Sequence, residues 1–199
     1  MNNQHKKQKS NSSAKANSSQ QARNIQEIFS AADIERTLYR LTHQILEKTP
    51  QPENIVLLGI HTRGVYLAHR LQTMLEKIKG IHLPLGELDI TFYRDDLTAI
   101  GYSPVVKETK IDFSIQDKIV ILIDDVLFTG RTARAALDAI IDFGRPRAIR
   151  LLVLIDRGHR ELPIKADFVG RNIPTAKKDS VELRVKELDG KDAVVILKR

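Results

Sequence analysis

Val120-Ile121-Leu122-Ile123-Asp124-Asp125-Val126-Leu127-Phe128-Thr129-Gly130-Arg131-Thr132 runs from four consecutive aliphatic residues through two carboxylates into a small, polar turn. Lys118 to Ile123 shows no polar alternation, as expected of a strand buried on both faces. Ala133 to Phe143 then has helical spacing and is closed by Gly144 and Pro146, and Ala148 to Ile155 is again an aliphatic strand. Strand, helix, strand implies a parallel pair. Ligands of such sheets bind at the carboxyl ends of the strands, where Asp124 and Asp125 fall. Adjacent carboxylates there can accept hydrogen bonds from two vicinal hydroxyls, such as ribose O2 and O3. A turn with Thr129, Gly130 and Thr132 entering a helix offers backbone N–H groups and hydroxyls to a phosphate, assisted by the helix dipole. Two other readings stand beside this one: the acids merely end a strand, or they hold magnesium as in a nucleotide hydrolase. The second needs a P-loop lysine, and the nearest candidate, Gly59-Ile60-His61-Thr62-Arg63-Gly64, continues with Val65-Tyr66 instead.

Outward from this core, Ile34, Leu38, Leu41 and Ile45 predict an amphipathic helix over Ala32 to Lys48, with Arg36, Arg40, His43 and Glu47 on its outer face. Thr49-Pro50-Gln51-Pro52 ends it. Asn54 to Ile60 predicts a buried strand, and residues 65 to 79 a helix with Leu67, Leu71, Met74, Leu75 and Ile78 inward. Alternation over Leu88 to Tyr93 predicts a further strand. Arg94 to about Phe113 has no period and reads as a long excursion, of the kind that is functional or mobile. Val181 to Glu187 and Ala193 to Leu197, around Asp189-Gly190, predict a hairpin appended to the sheet. The expected fold is α/β: an open, mainly parallel twisted sheet flanked by helices.

With 199 residues, 42% of them hydrophobic and 29% charged, one ordinary domain is expected. Residues 1 to 26 are rich in Asn, Ser, Gln and Lys and are expected to form a disordered basic tail, leaving residues 27 to 199 as the domain. The formal charge of +7 is mostly local. Lys6, Lys7, Lys9, Lys15 and Arg23 precede the first acid, leaving 27 basic against 25 acidic residues beyond them. The absence of cysteine excludes disulfides, thiolate metal sites and a cysteine nucleophile, and suits a cytoplasmic protein. No apolar run approaches the roughly 20 residues of a membrane span. The histidines have no spacing that suggests zinc, so no protein-bound metal is expected.

The segment 120 to 132 resembles the phosphoribosyl pyrophosphate signature of type I phosphoribosyltransferases. Gly59 to Gly64, Asp89-Ile90-Thr91-Phe92-Tyr93-Arg94-Asp95-Asp96-Leu97 and Asp156-Arg157-Gly158-His159-Arg160-Glu161-Leu162-Pro163-Ile164 are similar to a narrower family, the bifunctional pyrimidine operon attenuators and uracil phosphoribosyltransferases. The likeness covers about residues 30 to 199. It implies a type I phosphoribosyltransferase fold with a flexible loop and a small hood. Asp124 and Asp125 would hold the ribose hydroxyls. Val126, Leu127, Phe128, Thr129, Gly130, Arg131 and Thr132 would form the 5′-phosphate turn, Thr62 and Arg63 would meet pyrophosphate, and Arg94 would close over it. Arg157, Gly158 and His159 would cover uracil. Magnesium would arrive bound to the substrate. The implied reaction makes UMP and pyrophosphate from uracil and phosphoribosyl pyrophosphate. Competing readings are a purine-type phosphoribosyltransferase and a nucleotide-sensing regulator with little turnover.

Between Arg157 and Lys178 lie six basic residues and two acidic ones. Alone, such an excess simply solvates a surface. The resemblance implies instead that His43, Arg160, Lys165 and Arg171, sharing a face with Arg36 and Arg40, bind leader mRNA when UMP or UTP fills the site, in a homo-oligomer. Tyr39 departs from the small hydroxyl residue usual in the family, and Phe128 from a common tyrosine. No membrane partner is expected.

Overall fold

A computed structural model of the chain describes residues 25–95 and 107–199, whose elements follow the α/β pattern. They form β1 (Ile25–Ser30), α1 (Ala31–Lys48), β2 (Ile55–Ile60), α2 (Arg63–Lys79), β3 (Leu85–Leu88), β4 (Ile119–Leu127), α3 (Arg131–Ile141), β5 (Ala148–Asp156), β6 (Phe168–Asn172), β7 (Ser180–Arg184), the short α4 (Lys186–Asp189) and β8 (Ala193–Leu197). The main sheet has the order β3-β2-β4-β5-β6 with every neighbouring pair parallel.

Strand periodicity divides the apolar runs between two cores. Ile55, Leu57, Ile121, Ile123, Leu152 and Leu154 face α1 and α2, whereas Val56, Leu58, Val120, Leu122 and Val153 face α3. Both faces of β2, β4 and β5 are therefore covered, which is why their sequences lack polar alternation. The inward residues predicted for α1, Ile34, Leu38, Leu41 and Ile45, are all at most 1% exposed. Ser30 starts this helix with a capping box: its hydroxyl accepts from the Asp33 N–H and its own N–H donates to Asp33, worth about 1 kcal/mol.

Three expectations are corrected. Of Leu88 to Tyr93, only Leu88 lies in a strand, and Thr91–Tyr93 is a single 3-10 turn. Asp89 causes the change, since its Oδ1 accepts from the Thr91 N–H at 2.8 Å and from the Thr91 hydroxyl, folding the chain back locally. The C-terminal strands do pair antiparallel, but in a separate three-stranded sheet of order β1-β8-β7. That sheet packs Phe29, Val181, Leu183 and Val194 into the α1–α2 core rather than extending the parallel sheet. Ile25 and Gln26, given to the tail, already pair with Leu197 and Ile196. The rest of the tail and residues 96–106 of the excursion lie outside the described residues. Among those described, no helix is long and apolar enough to cross a membrane.

Candidate functional site

β4 carries Asp124 and Asp125 to its carboxyl end, and the order β2-β4-β5 places this end between two helix N-termini. Gly64, in the first turn of α2, allows the close approach. A Cβ there would stand 2.4 Å from the Ile123 carbonyl oxygen and 3.3 Å from Asp124 Cα. Gly130 makes the second junction, capping α3 in the left-handed region at φ 94°. Behind it the Arg131 N–H donates to Thr129 Oγ1 at 3.3 Å.

Asp124 is 7% exposed, and its Oδ1 accepts the Asp125 N–H at 2.9 Å, while Asp125 accepts the Val126 N–H at 2.9 Å. Burial, and then the neighbouring Asp125 carboxylate, push the Asp124 carboxyl well above the usual range. The pair lies in a pocket of about 250 Å³ lined also by His61, Thr62, Asp89, Thr91, Arg94, Lys107, Val126 and Thr132. Five groups expected at the site, Asp124–Asp125, Thr62, Arg94, Val126 and Thr132, thus converge. Lys107, His61 and Asp89 were not predicted. Lys107 Nζ donates to Thr62 Oγ1 at 3.2 Å, and its backbone N–H donates to Asp89. Burial would raise Asp89, but hydrogen bonds from Thr91 and Lys107 and the charge of His61 outweigh it and hold its pKa below the ordinary value. Asp89 precedes the excursion and Lys107 lies within it, a pairing that no local pattern reveals. His61 Nε2 lies 3.3 Å from Glu87 Oε2 in a geometry that makes no hydrogen bond.

Arg63 turns away from this pocket: its NH2 group donates to both oxygens of Asp189, at 3.1 and 3.3 Å. The segment after β5 stands over the turn from Phe128 to Gly130. Arg157 is 5% exposed, with its guanidinium 4.1 Å from the centre of the Phe128 ring and bonded to Thr175 and Ala176. Gly158 and His159 both have positive φ, and His159 Nε2 lies 2.6 Å from the Thr175 carbonyl oxygen. Phe128 and His159 meet edge to face at 6.0 Å.

The residues expected at an RNA surface divide. On α1, Arg40 donates to the Gly170 carbonyl of β6, Arg36 pairs with Asp33, and His43 packs edge to face on Tyr39 at 4.7 Å. Gly170 permits this contact, because a Cβ there would lie 2.8 Å from Thr37 Cγ2. Arg171, next along β6, sits 5.2 Å over the Phe29 ring, and Lys165 is exposed. Arg36, Arg40 and Arg171 therefore belong to adjoining elements. Arg160 instead turns inward to the Phe128 carbonyl and to Asp156 at the end of β5. A wider apolar concavity of about 570 Å³ between α1 and α2, lined by Tyr39, Met74 and Ile78, holds none of the paired-acid chemistry.

A phosphoribosyl transferase domain matches residues 24–188. The chain is 55% identical over 173 residues to the bifunctional protein PyrR of Thermus thermophilus, spanning 87% of this chain and 96% of that one. It is 56% identical over 172 residues to the bifunctional protein PyrR of Caldicellulosiruptor bescii, spanning 86% and 94%. Among solved structures, a hypoxanthine phosphoribosyltransferase from Staphylococcus aureus is similar in fold, with a TM-score of 0.65 at 21% identity over 89% of this chain and 95% of that one.

Proposed function

Because this chain belongs to the phosphoribosyl transferase family and, within it, to the bifunctional PyrR proteins, we propose that it transfers phosphoribose from phosphoribosyl pyrophosphate to uracil and regulates pyrimidine genes by binding leader mRNA. The observation that carries the enzymatic half is the buried Asp124–Asp125 pair, which shares one pocket with Thr62, Arg94 and Lys107 and leads directly into the Gly130 turn.

In the reaction, the bond from ribose C1 to the pyrophosphate oxygen breaks, a bond to a uracil nitrogen forms, and that nitrogen's proton is released. Positive charge grows on the ribose as negative charge grows on the leaving group. Asp124 and Asp125 accept the ribose hydroxyls and fix the ring. Burial and the neighbouring Asp125 carboxylate raise the Asp124 carboxyl above its ordinary range. Lys107, Arg94 and the Thr62 hydroxyl face the leaving pyrophosphate, where their charges and donors count most once water is excluded. The Gly130 turn holds the 5′-phosphate, and the Arg157–His159 hood covers the base. No protein nucleophile is required.

The oxygen-rich pocket fits magnesium carried in by the substrate. Among the described residues, no cluster of three or more His, Cys, Asp or Glu side chains is arranged to hold a metal. Substrate oxygens and water would therefore supply most ligands, with Asp124 and Asp125 nearby. Bound there, the ion would offset charge on the departing pyrophosphate.

For the RNA half, the support is the juxtaposition of Arg36, Arg40 and His43 on α1 with Arg171 on β6. UMP or UTP in the nucleotide site promotes this binding, and RNA must then tighten nucleotide binding by the same factor. The working protein is a cytoplasmic homo-oligomer. The test is pyrophosphate release with uracil, phosphoribosyl pyrophosphate and magnesium, for the wild-type protein and Asp125→Asn, repeated with hypoxanthine. Turnover with uracil alone, lost in the variant, is expected. Activity on hypoxanthine instead overturns the pyrimidine assignment, and UMP binding without turnover leaves a nucleotide-sensing regulator.

A further inference from the structure

The segment that follows β5 is bonded to the phosphate turn residue by residue. The Arg157 N–H donates to the Leu127 carbonyl at 3.1 Å, and the Glu161 and Leu162 N–H groups both donate to the Thr129 carbonyl, at 2.9 and 3.1 Å. Between them lies Arg160. Its Nε donates to the Ile164 carbonyl at 2.9 Å, and its NH1 donates to the carbonyls of Phe128 at 2.8 Å and Gly158 at 3.2 Å. Its NH2 pairs with Asp156, whose other oxygen accepts the Gly158 N–H at 2.9 Å. One planar guanidinium thus joins the end of β5, both sides of the hood and the turn that holds the 5′-phosphate. A flexible ammonium cannot reproduce this fork. From outside, Arg131 Nε adds a second tie to Glu161 at 3.0 Å.

The Arg160 side chain is 23% exposed, and all three of its nitrogens already have protein acceptors. We infer that Arg160 is a positioning residue of the nucleotide site, holding the base hood and the 5′-phosphate turn as one unit. This rests on the function proposed above and assigns within it a residue that the resemblance placed on the RNA surface.

The consequence is selective. Groups that bind pyrophosphate, Thr62, Arg94 and Lys107, make none of the Arg160 contacts described, so pyrophosphate affinity is expected to survive Arg160→Gln or Arg160→Lys. Uracil KM and UMP Kd should both rise by about tenfold or more, as expected for losing hydrogen bonds to a charged group. A merely structural role would act differently: a smaller folded fraction lowers apparent kcat and leaves KM alone. A second measurement needs no variant. In amide hydrogen exchange of the wild-type protein, UMP should slow Glu161 and Leu162 together with residues 129 to 132, because they share the Thr129 carbonyl. Unchanged uracil KM and UMP Kd in both variants, or UMP protection of the turn without residues 161 and 162, overturns the inference. A wild-type protein that neither binds UMP nor uses uracil overturns the functional reading beneath it.

Discussion

Gly64→Ala is the substitution whose effect the geometry fixes most tightly. A methyl group at residue 64 would lie 2.4 Å from the Ile123 carbonyl oxygen, about 1 Å inside ordinary contact. Both partners are backbone, one in β4 and one in α2, so no side chain can swing aside. α2 must therefore retreat from β4 by about 1 Å, or β4 must bend immediately before Asp124. The overpacking should cost about 1–3 kcal/mol of stability. The functional loss should be larger in proportion, since Thr62 and Asp124 flank this contact and a misplacement of about 1 Å can lower a rate by about 100-fold. Urea denaturation and kcat/KM for uracil, measured on one preparation, separate the two effects. Gly80→Ala is the control: Gly80 also has a special backbone, with φ 67°, but a Cβ there meets nothing within 4 Å. It should lose about 1–2 kcal/mol from left-handed strain alone and keep full activity. Gly64→Ala with kcat/KM within about twofold of wild type would refute the claim that this contact sets the position of the acids.

Other outcomes follow from the same geometry. Asp124→Asn keeps the acceptor for the Asp125 N–H but removes a buried ionisable group. Because the folded-state pKa is raised, the folded wild type binds more protons than the unfolded chain above about pH 4 and loses stability as pH climbs from there toward the raised pKa. The variant should thus melt higher than wild type at pH 7, with the difference closing toward pH 4, and thermal melts across that range check the sign. Arg70 bonds Glu187 and Asp192, tying α2 to the C-terminal sheet. Its replacement by Met should cost about 1–3 kcal/mol in urea titrations, because partly buried carboxylates lose their partner. On the RNA surface, Arg171→Gln should reduce the slope of log affinity against log salt by roughly 0.7–0.9, the value for one lost phosphate contact, when titrated against the leader transcript. An unchanged slope would remove Arg171 from the interface.

The central strands, their order along the chain and the acid pair were legible in the sequence because their causes are local. Four aliphatic residues before Asp124 require burial on both faces, and Gly130 marks the one place where the turn needs a left-handed residue. Where a local pattern competed with a local hydrogen bond, the pattern misled. Leu88, Ile90 and Phe92 alternate as in a strand, yet Asp89 bonds Thr91 and ends the strand, and Phe92 is 73% exposed. β6 was invisible for another reason. Phe168-Val169-Gly170-Arg171-Asn172 is short, has only two large apolar residues and lies at the sheet edge, and its strand character comes from pairing with β5 and packing under α1. The second sheet required pairing Ile25 with Leu197, a contact that no window of sequence spans.

The same distinction separates residues whose role is readable from type and spacing from those whose role depends on direction. A carboxylate pair at the end of a buried strand has few places to point, so Asp124 and Asp125 were identifiable. An arginine has several. Arg63 and Arg160 both sit in motifs that touch ligands in the resemblance, yet Arg63 reaches across to Asp189 and Arg160 folds back onto Phe128, Gly158 and Ile164. Long side chains sample wide arcs, and a neighbouring carboxylate or unpaired carbonyl decides among them. Asp189 accepts the Val185 N–H as well as Arg63, and first the Val185 bond and then the Arg63 charge hold its pKa below the ordinary value. Asp189→Asn should therefore release Arg63 from α4 without emptying the pocket of Lys107 and Arg94. A lower KM for phosphoribosyl pyrophosphate in that variant would mean that Arg63 is held back from the substrate by Asp189. A higher KM would mean that the pair shapes the Thr62 loop, and would remove direct contact from the role assigned to Arg63.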